Sequence, residues 1–383
     1  MLCALLLAAT ACGSGGPPRA GLPSSVGPGE GELDLVAWPG YAEDGSNDPR
    51  FDWVHPFERR TGCRVTVRYV TTADEVVAQL RQRGIYDGGS VSSDAAGRLI
   101  DSEAVAEVNS RLVPNLRNIV RPLRSADFDT VQGRDFGVPF LYGPNLLLFN
   151  TKQVRGVPTS WGVTWSPDSP YRGRVMIYDA PIFIADAALY LKAHDRGLGI
   201  RDPYELTAGQ LDAAAALLRR QSEMDARYWS TPTDEVLAFA AGKVVLGTGR
   251  PQALGLIRSV PVSAVLPSEG ATGWADTWMV SATARHPNCM YLWMEWTLTP
   301  RVQDQMARWI RAAPANPRAC ELLRRTVGAA ASTLRYGRCG DVRFLSSLYL
   351  WKTPQEECGD GRTECMAFRD WNREWESIRE AGT

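Results

Sequence analysis

Between residues 33 and 84 the chain signals strand, helix, strand, helix, and that order narrows the fold more than composition does. "LDLVAW" (33–38) is an apolar strand run. "WVHPFERRTG" (53–62) reads as a helix closed by Gly62, because glycine takes the left-handed backbone of a helix end without a steric penalty. "CRVTVRYV" (63–70) alternates as a half-buried strand does. "TADEVVAQLRQRG" (72–84) has both ends marked, with Thr72 as cap, Glu75 three residues on and Gly84 as stop. Strands separated by helices pair in parallel through crossovers, so a parallel sheet flanked by helices is expected. "YDGGSVSSDAAGRLI" (86–100) then turns into a further helix. The length of 383 residues allows two such lobes of about 150 residues each.

"FGVPFLYGPNLLLFNTKQV" (136–154) holds two apolar strand runs broken by "YGPN", the pattern of a crossing between lobes. A second α/β run follows, through "GRVMIYDAP", "IADAALYLKAHDRG" and "KVVLGTG". "VPVSAVLP" and "GATGWADTW" (270–278) then return the chain to the first lobe. One lobe is thus expected from 32–142 plus 276–340 and the other from 143–275. The tail 341–383, with its aromatic "FLSSLYLWKTP", packs on both.

The first eleven residues, "MLCALLLAATA", are apolar, too short to span a bilayer, and read as a signal peptide. "AATAC" places Cys12 as a lipidation site, with 12–31 a flexible Gly/Pro/Ser tether. The mature protein is then extracytoplasmic and lipid-anchored, in a periplasm or on the outer face of a membrane. Cys63, Cys289, Cys320, Cys339, Cys358 and Cys365 remain, an even number suited to disulfides in an oxidising compartment. Cys358–Cys365, across "CGDGRTEC", and Cys320–Cys339 are the expected pairs. A zinc site would need thiolates or histidines at tight spacing, which the chain lacks, so neither metal nor cofactor is expected. A net charge of −1 gives no reason to expect nucleic acid as a partner.

"LVAWPGYAEDG", "YDGGSVSS", "YGPNLLLFNT", "GWADTW" and "APANPRA" (313–319) follow one another with an order and spacing that resemble the spermidine/putrescine-binding family of bacterial ABC importers. The resemblance covers about residues 33 to 320. It implies the type II periplasmic binding protein fold: two lobes, each a mixed, mostly parallel sheet flanked by helices, closing on a ligand at the hinge. It also implies a permease and an ATPase as partners, a monomeric receptor, and no catalysis.

In that family aromatic side chains hold ligand methylenes and carboxylates hold ammonium groups. An ammonium over an indole gains about 0.5–2 kcal/mol, and a hydrogen bond to a charged group about 1.5–3. The resemblance carries this role to Trp38, Tyr41, Ser92, Trp274 and Asp276. Asp94 stands where the family often has tyrosine; it either adds a carboxylate or caps the helix that follows. Asp179 is the one acid left where an acidic pair is expected, with Ala180 and Phe183 beside it. "GTGRPQ" replaces a strand-end tryptophan and brings Arg250 toward the cleft. Fewer carboxylates and an added guanidinium suit a ligand with an amine at one end and a carboxylate at the other, as in a GABA-like ω-amino acid. A polyamine such as putrescine or spermidine is the other amine ligand in view. Tyr142, Asn145 and Trp351 are further cleft candidates.

A sugar receptor would also use the 13 tryptophans but would not need Asp276 and Arg250 opposed. An enzyme is not expected: none of the histidines, His55, His194 and His286, sits near a nucleophile motif, and no phosphate loop occurs.

Overall fold

The computed structural model describes residues 23–328, 332–362 and 364–381. The signal peptide and Cys12 lie outside the described residues. Glu32–Ala37 pairs in parallel with Arg64–Tyr69 on one side and with Gly88–Ser92 on the other. The helices Val54–Thr61 and Ala73–Leu80 are the crossovers, and their ends form as the local signals require. Gly62 takes φ 76° and donates to Glu58 O. Thr72 and Glu75 complete a reciprocal capping box.

Two sheets organise the chain. The seven-stranded sheet runs Ala313–Pro314, Gly137–Pro144, Thr272–Val280, Gly88–Ser92, Glu32–Ala37, Arg64–Tyr69, with Tyr349–Leu350 alongside Thr272–Val280. The five-stranded sheet runs Val262–Val265, Leu146–Asn150, Leu246–Gly249, Val175–Tyr178, Arg227–Trp229. Only Asn145 separates the last strand residue of one sheet from the first of the other, so "YGP" continues a strand rather than breaking it. The outgoing and returning crossings are bonded together. Asn145 N–H donates to Thr272 O at 2.9 Å, and Asn145 Nδ2 to Thr272 Oγ1 at 2.8 Å. Thr272 Oγ1 in turn donates to buried Asp186 at 2.9 Å.

The tail spans both sheets. Tyr349–Leu350 pairs with Thr272–Gly273, and the helix Phe368–Glu380 packs on Ala208–Ser222 with Trp371 buried. Both expected disulfides form, Cys320–Cys339 and Cys358–Cys365, and a third joins Cys63 to Cys289. The expected tether needs correction in its described part, which is docked. Glu30 accepts from the backbone N–H groups of Asn288 and Cys289, both at 2.9 Å, satisfying donors at the start of the helix Pro287–Thr297. Gly27 N–H donates to Asn288 Oδ1 at 2.8 Å.

Candidate ligand site

The return strand Thr272–Val280 runs between Gly88–Ser92 and Gly137–Pro144, and its register shifts at Asp276/Thr277. Bulges of this kind re-aim side chains. Trp274 and Asp276, two apart, share one face ahead of the shift. Trp274 lies opposite Gly143, where a Cβ would come within 2.6 Å of the indole, so the glycine of "YGPN" makes room for the ring. Asp276 lies opposite Ser92.

Tyr41 Oη donates to Asp276 Oδ2 at 2.5 Å, both residues being buried. The tyrosine ring meets Phe140 edge-on at 5.5 Å. Ser92 Oγ donates to Asp94 Oδ1 at 2.5 Å. The N-cap position of the helix Ser93–Asp101 belongs to Ser92, and Asp94 sits inside its first turn, so the capping role considered for Asp94 is not what its side chain does. Burial pushes the Asp276 carboxyl up to about 7, against the pull of the Tyr41 hydrogen bond and the Arg250 charge. Burial likewise raises Asp94, opposed by Ser92 and by Arg98 and Arg250. The two aspartates repel each other and both feel Arg250, so they form one electrostatic unit.

Arg250 is the centre of that unit. Its guanidinium carbon lies 5.2 Å from the ring centre of Tyr178, 5.3 Å from Trp274, 5.4 Å from Trp229 and 5.5 Å from Trp351. A cation within about 6 Å of an aromatic face is attracted to it, and here four faces enclose one cation. Tyr178 and Trp351 are themselves stacked at 5.5 Å. Tyr178 and Trp229 come from the five-stranded sheet, whereas Trp274 and Trp351 come from the seven-stranded sheet and the tail, so the box straddles the lobes. Arg250 N–H donates to Glu235 Oε1 at 3.2 Å, and burial pushes that carboxyl up to about 8. Among the described residues no ion pair engages the guanidinium, and its buried Nε has no hydrogen-bond partner. The buried indole nitrogens of Trp38, Trp274 and Trp351 also lack partners.

Of the residues singled out in the sequence, Tyr41, Ser92, Asp94, Arg250, Trp274 and Asp276 converge here, and Trp38, on the Tyr41 loop, donates its backbone N–H to Ser90 Oγ. Asp179 is engaged elsewhere. Its Oδ1 accepts from Trp375 Nε1 at 3.2 Å and lies 3.4 Å from Arg379 Nε, both on the C-terminal helix. Its neighbour Tyr178 faces the box instead, as alternation along a strand requires. Tyr142 is buried with its hydroxyl accepting from Gly340 N–H, and Asn145 sits at the crossing between the two sheets with its side chain bonded to Thr272. Trp351, Tyr178, Trp229 and Glu235 are the residues that sequence reasoning underrated or missed.

The sequence matches the family described as bacterial extracellular solute-binding protein over residues 52–322. It is 23% identical over 344 residues to the spermidine/putrescine-binding periplasmic protein of Escherichia coli (strain K12), covering 83% of this chain and 94% of that protein. The structure resembles the spermidine/putrescine ABC transporter substrate-binding protein PotD from Streptococcus pneumoniae, with TM-score 0.69, 17% identity, and coverage of 91% and 99% of the two chains. It also resembles the Atu4243-GABA receptor, with TM-score 0.64, 17% identity, and coverage of 91% and 97%. At these identities the structural likeness establishes the fold, the two-lobed type II periplasmic binding protein.

Proposed function

Because this chain belongs to the bacterial extracellular solute-binding proteins, we propose that it is the receptor of an ABC importer for a small ω-amino acid of the GABA type. The carrying observation is that Arg250 fills the aromatic box that a ligand ammonium would otherwise enter, and among the described residues no ion pair engages its guanidinium. A ligand carboxylate would meet the guanidinium fork, and its ammonium would meet Asp276 and Asp94. Closing the lobes about the Asn145–Thr272 crossing would bring the two poles together and exclude water. That closure gives a permease and its ATPase a liganded shape to recognise.

A polyamine is the second reading. It is favoured by the two buried aspartates, which outnumber the single guanidinium, and by the names of the relatives. The receptor is read as a monomer held at the membrane through lipid on Cys12, with no reaction of its own. No helix among the described residues is long and apolar enough to cross a membrane.

A thermal-shift titration with GABA, longer ω-amino acids, putrescine, spermidine and maltose tests the ligand class, since a ligand stabilises the fold it binds by mass action. Stabilisation by the zwitterions supports the principal reading, and stabilisation by diamines alone replaces it with the second. Stabilisation by maltose alone overturns both.

A further inference from the structure

Arg311 ends the helix Pro300–Ile310 in a left-handed conformation, φ 65° and ψ 31°, with its N–H bonded to Ala307 O. A non-glycine residue seldom holds that backbone, and here it redirects the chain into Ala313–Pro314, an edge strand of the seven-stranded sheet. Arg311 thus belongs to the first lobe. Its guanidinium Nη1 donates to Gly255 O at 3.0 Å. Gly255 belongs to the other lobe, directly after the short helix Pro251–Leu254, whose N-cap is Arg250.

Gly255 is shaped for that contact. A Cβ on it would lie 2.3 Å from Arg311 Nη1. Its own backbone, at φ −78°, is open to any residue, so the glycine is needed for the space and not for its conformational freedom. A donor on one lobe and a residue without a side chain on the other therefore meet across the cleft. The bond is made to a neutral carbonyl, and burial first, with the Arg258 charge second, works against the Arg311 cation. A contact of that kind closes the lobes without locking them.

We infer that Arg311 is a positioning residue that latches the closed lobes through Gly255 and so holds the helix led by Arg250 over the site. The inference rests on the reading of this chain as a receptor that works by closure, but not on which ligand it takes.

The test is the distance between lobes in the ligand-free protein. Pulsed electron resonance would measure it, with spin labels on unnatural residues at the exposed positions 85 and 237. Gly255→Ala adds one methyl that displaces a flexible guanidinium and leaves the backbone unstrained. Gly255→Ala and Arg311→Ala should each lower the closed-to-open ratio by about three- to tenfold, the worth of one hydrogen bond, with an unchanged thermal midpoint. Arg258→Ala should raise the ratio. Closed fractions equal to the parent's in the first two variants would overturn the latch. So would a fall in Arg311→Ala alone, because Gly255 would then have no role. Since no ligand enters this measurement, a failure of the ω-amino acid reading shows only in the thermal-shift panel.

Discussion

Tyr41 donates a hydroxyl hydrogen bond to Asp276 across 2.5 Å, joining the loop after the first strand to the strand that returns from the second lobe. The bond holds the Asp276 carboxyl lower than burial alone would leave it. Tyr41→Phe should therefore destabilise the fold by about 1–3 kcal/mol, the cost of a buried acceptor left unpaired, measured by urea denaturation. It should also weaken amine binding at pH 7, because Asp276 then keeps its proton. Calorimetric titration at pH 9 separates the causes. Affinity that recovers there shows Tyr41 acting through Asp276; affinity that stays low shows it touching the ligand itself.

The buried carboxyls predict opposite pH trends for stability and binding. Burial raises Asp276 and Asp186 to about 7 and Asp129 and Glu235 to about 8, whereas unfolded Asp and Glu titrate near about 4. Between those values the folded state holds more protons than the unfolded, so stability falls as pH rises from about 4 to about 8. Their contribution is complete below about pH 4 and lost above about pH 8. Thermal midpoints from pH 5 to pH 9 should show the decline, and Asp129→Asn should flatten it. Amine affinity should rise over pH 6 to 8 as Asp276 ionises. A midpoint that climbs steadily to pH 8 would contradict the burial argument.

Arg250→Ala removes the cation from the aromatic box. An ω-amino acid should lose about 10- to 100-fold in affinity, the worth of a charge-assisted hydrogen bond. Putrescine should gain, since its ammonium can enter the vacated faces and nothing repels it. Arg250→Lys should fall between, keeping the charge but not the two-pronged fork. Isothermal titration of the three proteins with both ligands checks the pattern, and equal losses for both ligands would make Arg250 a packing residue.

Much of this fold is local and therefore legible. The capping box at Thr72 and Glu75 and the left-handed Gly62 depend on residues within one turn. The box does not, because Tyr178, Trp229, Trp274 and Trp351 are distant in sequence and meet only through the sheet order. Trp351 stands out in an aromatic tail, but nothing local says that its backbone N–H bonds Gly273 O. Arg250 is visible as an arginine where a tryptophan is expected, and its position follows from that. Asp179 shows the opposite limit: a strand end one residue out of phase sends the carboxylate to the far face and brings Tyr178 in.

The disulfides should differ in what they contribute. Cys63–Cys289 closes a separation of 226 residues and ties the end of the first crossover helix to a helix far along the chain, whereas Cys358–Cys365 spans 7. Loop-closure entropy grows with the residues enclosed. Replacing both members of the long pair by serine should cost about 2–5 kcal/mol, and the short pair less. Denaturant midpoints of the two double variants give the ranking, and a larger loss for the short pair would reverse it.

Asp179 gives the last separation, between a residue near the site and one in it. Its carboxylate holds Trp375 and Arg379, and Arg379 in turn covers the Tyr228 ring at 3.6 Å. Its backbone N–H donates to Trp229 O, a bond that no side-chain change removes. Asp179→Ala should therefore loosen the helix Phe368–Glu380, seen as faster amide exchange there, and lower stability by about 1 kcal/mol. Affinity for the ligand that stabilises the parent should change less than twofold, because Trp229 keeps its place in the box. Tyr178→Ala should do the reverse, lowering affinity at least tenfold with the helix exchange unaltered. If Asp179→Ala abolishes binding while the helix stays protected, the carboxylate reaches the ligand and the strand faces are assigned the wrong way round.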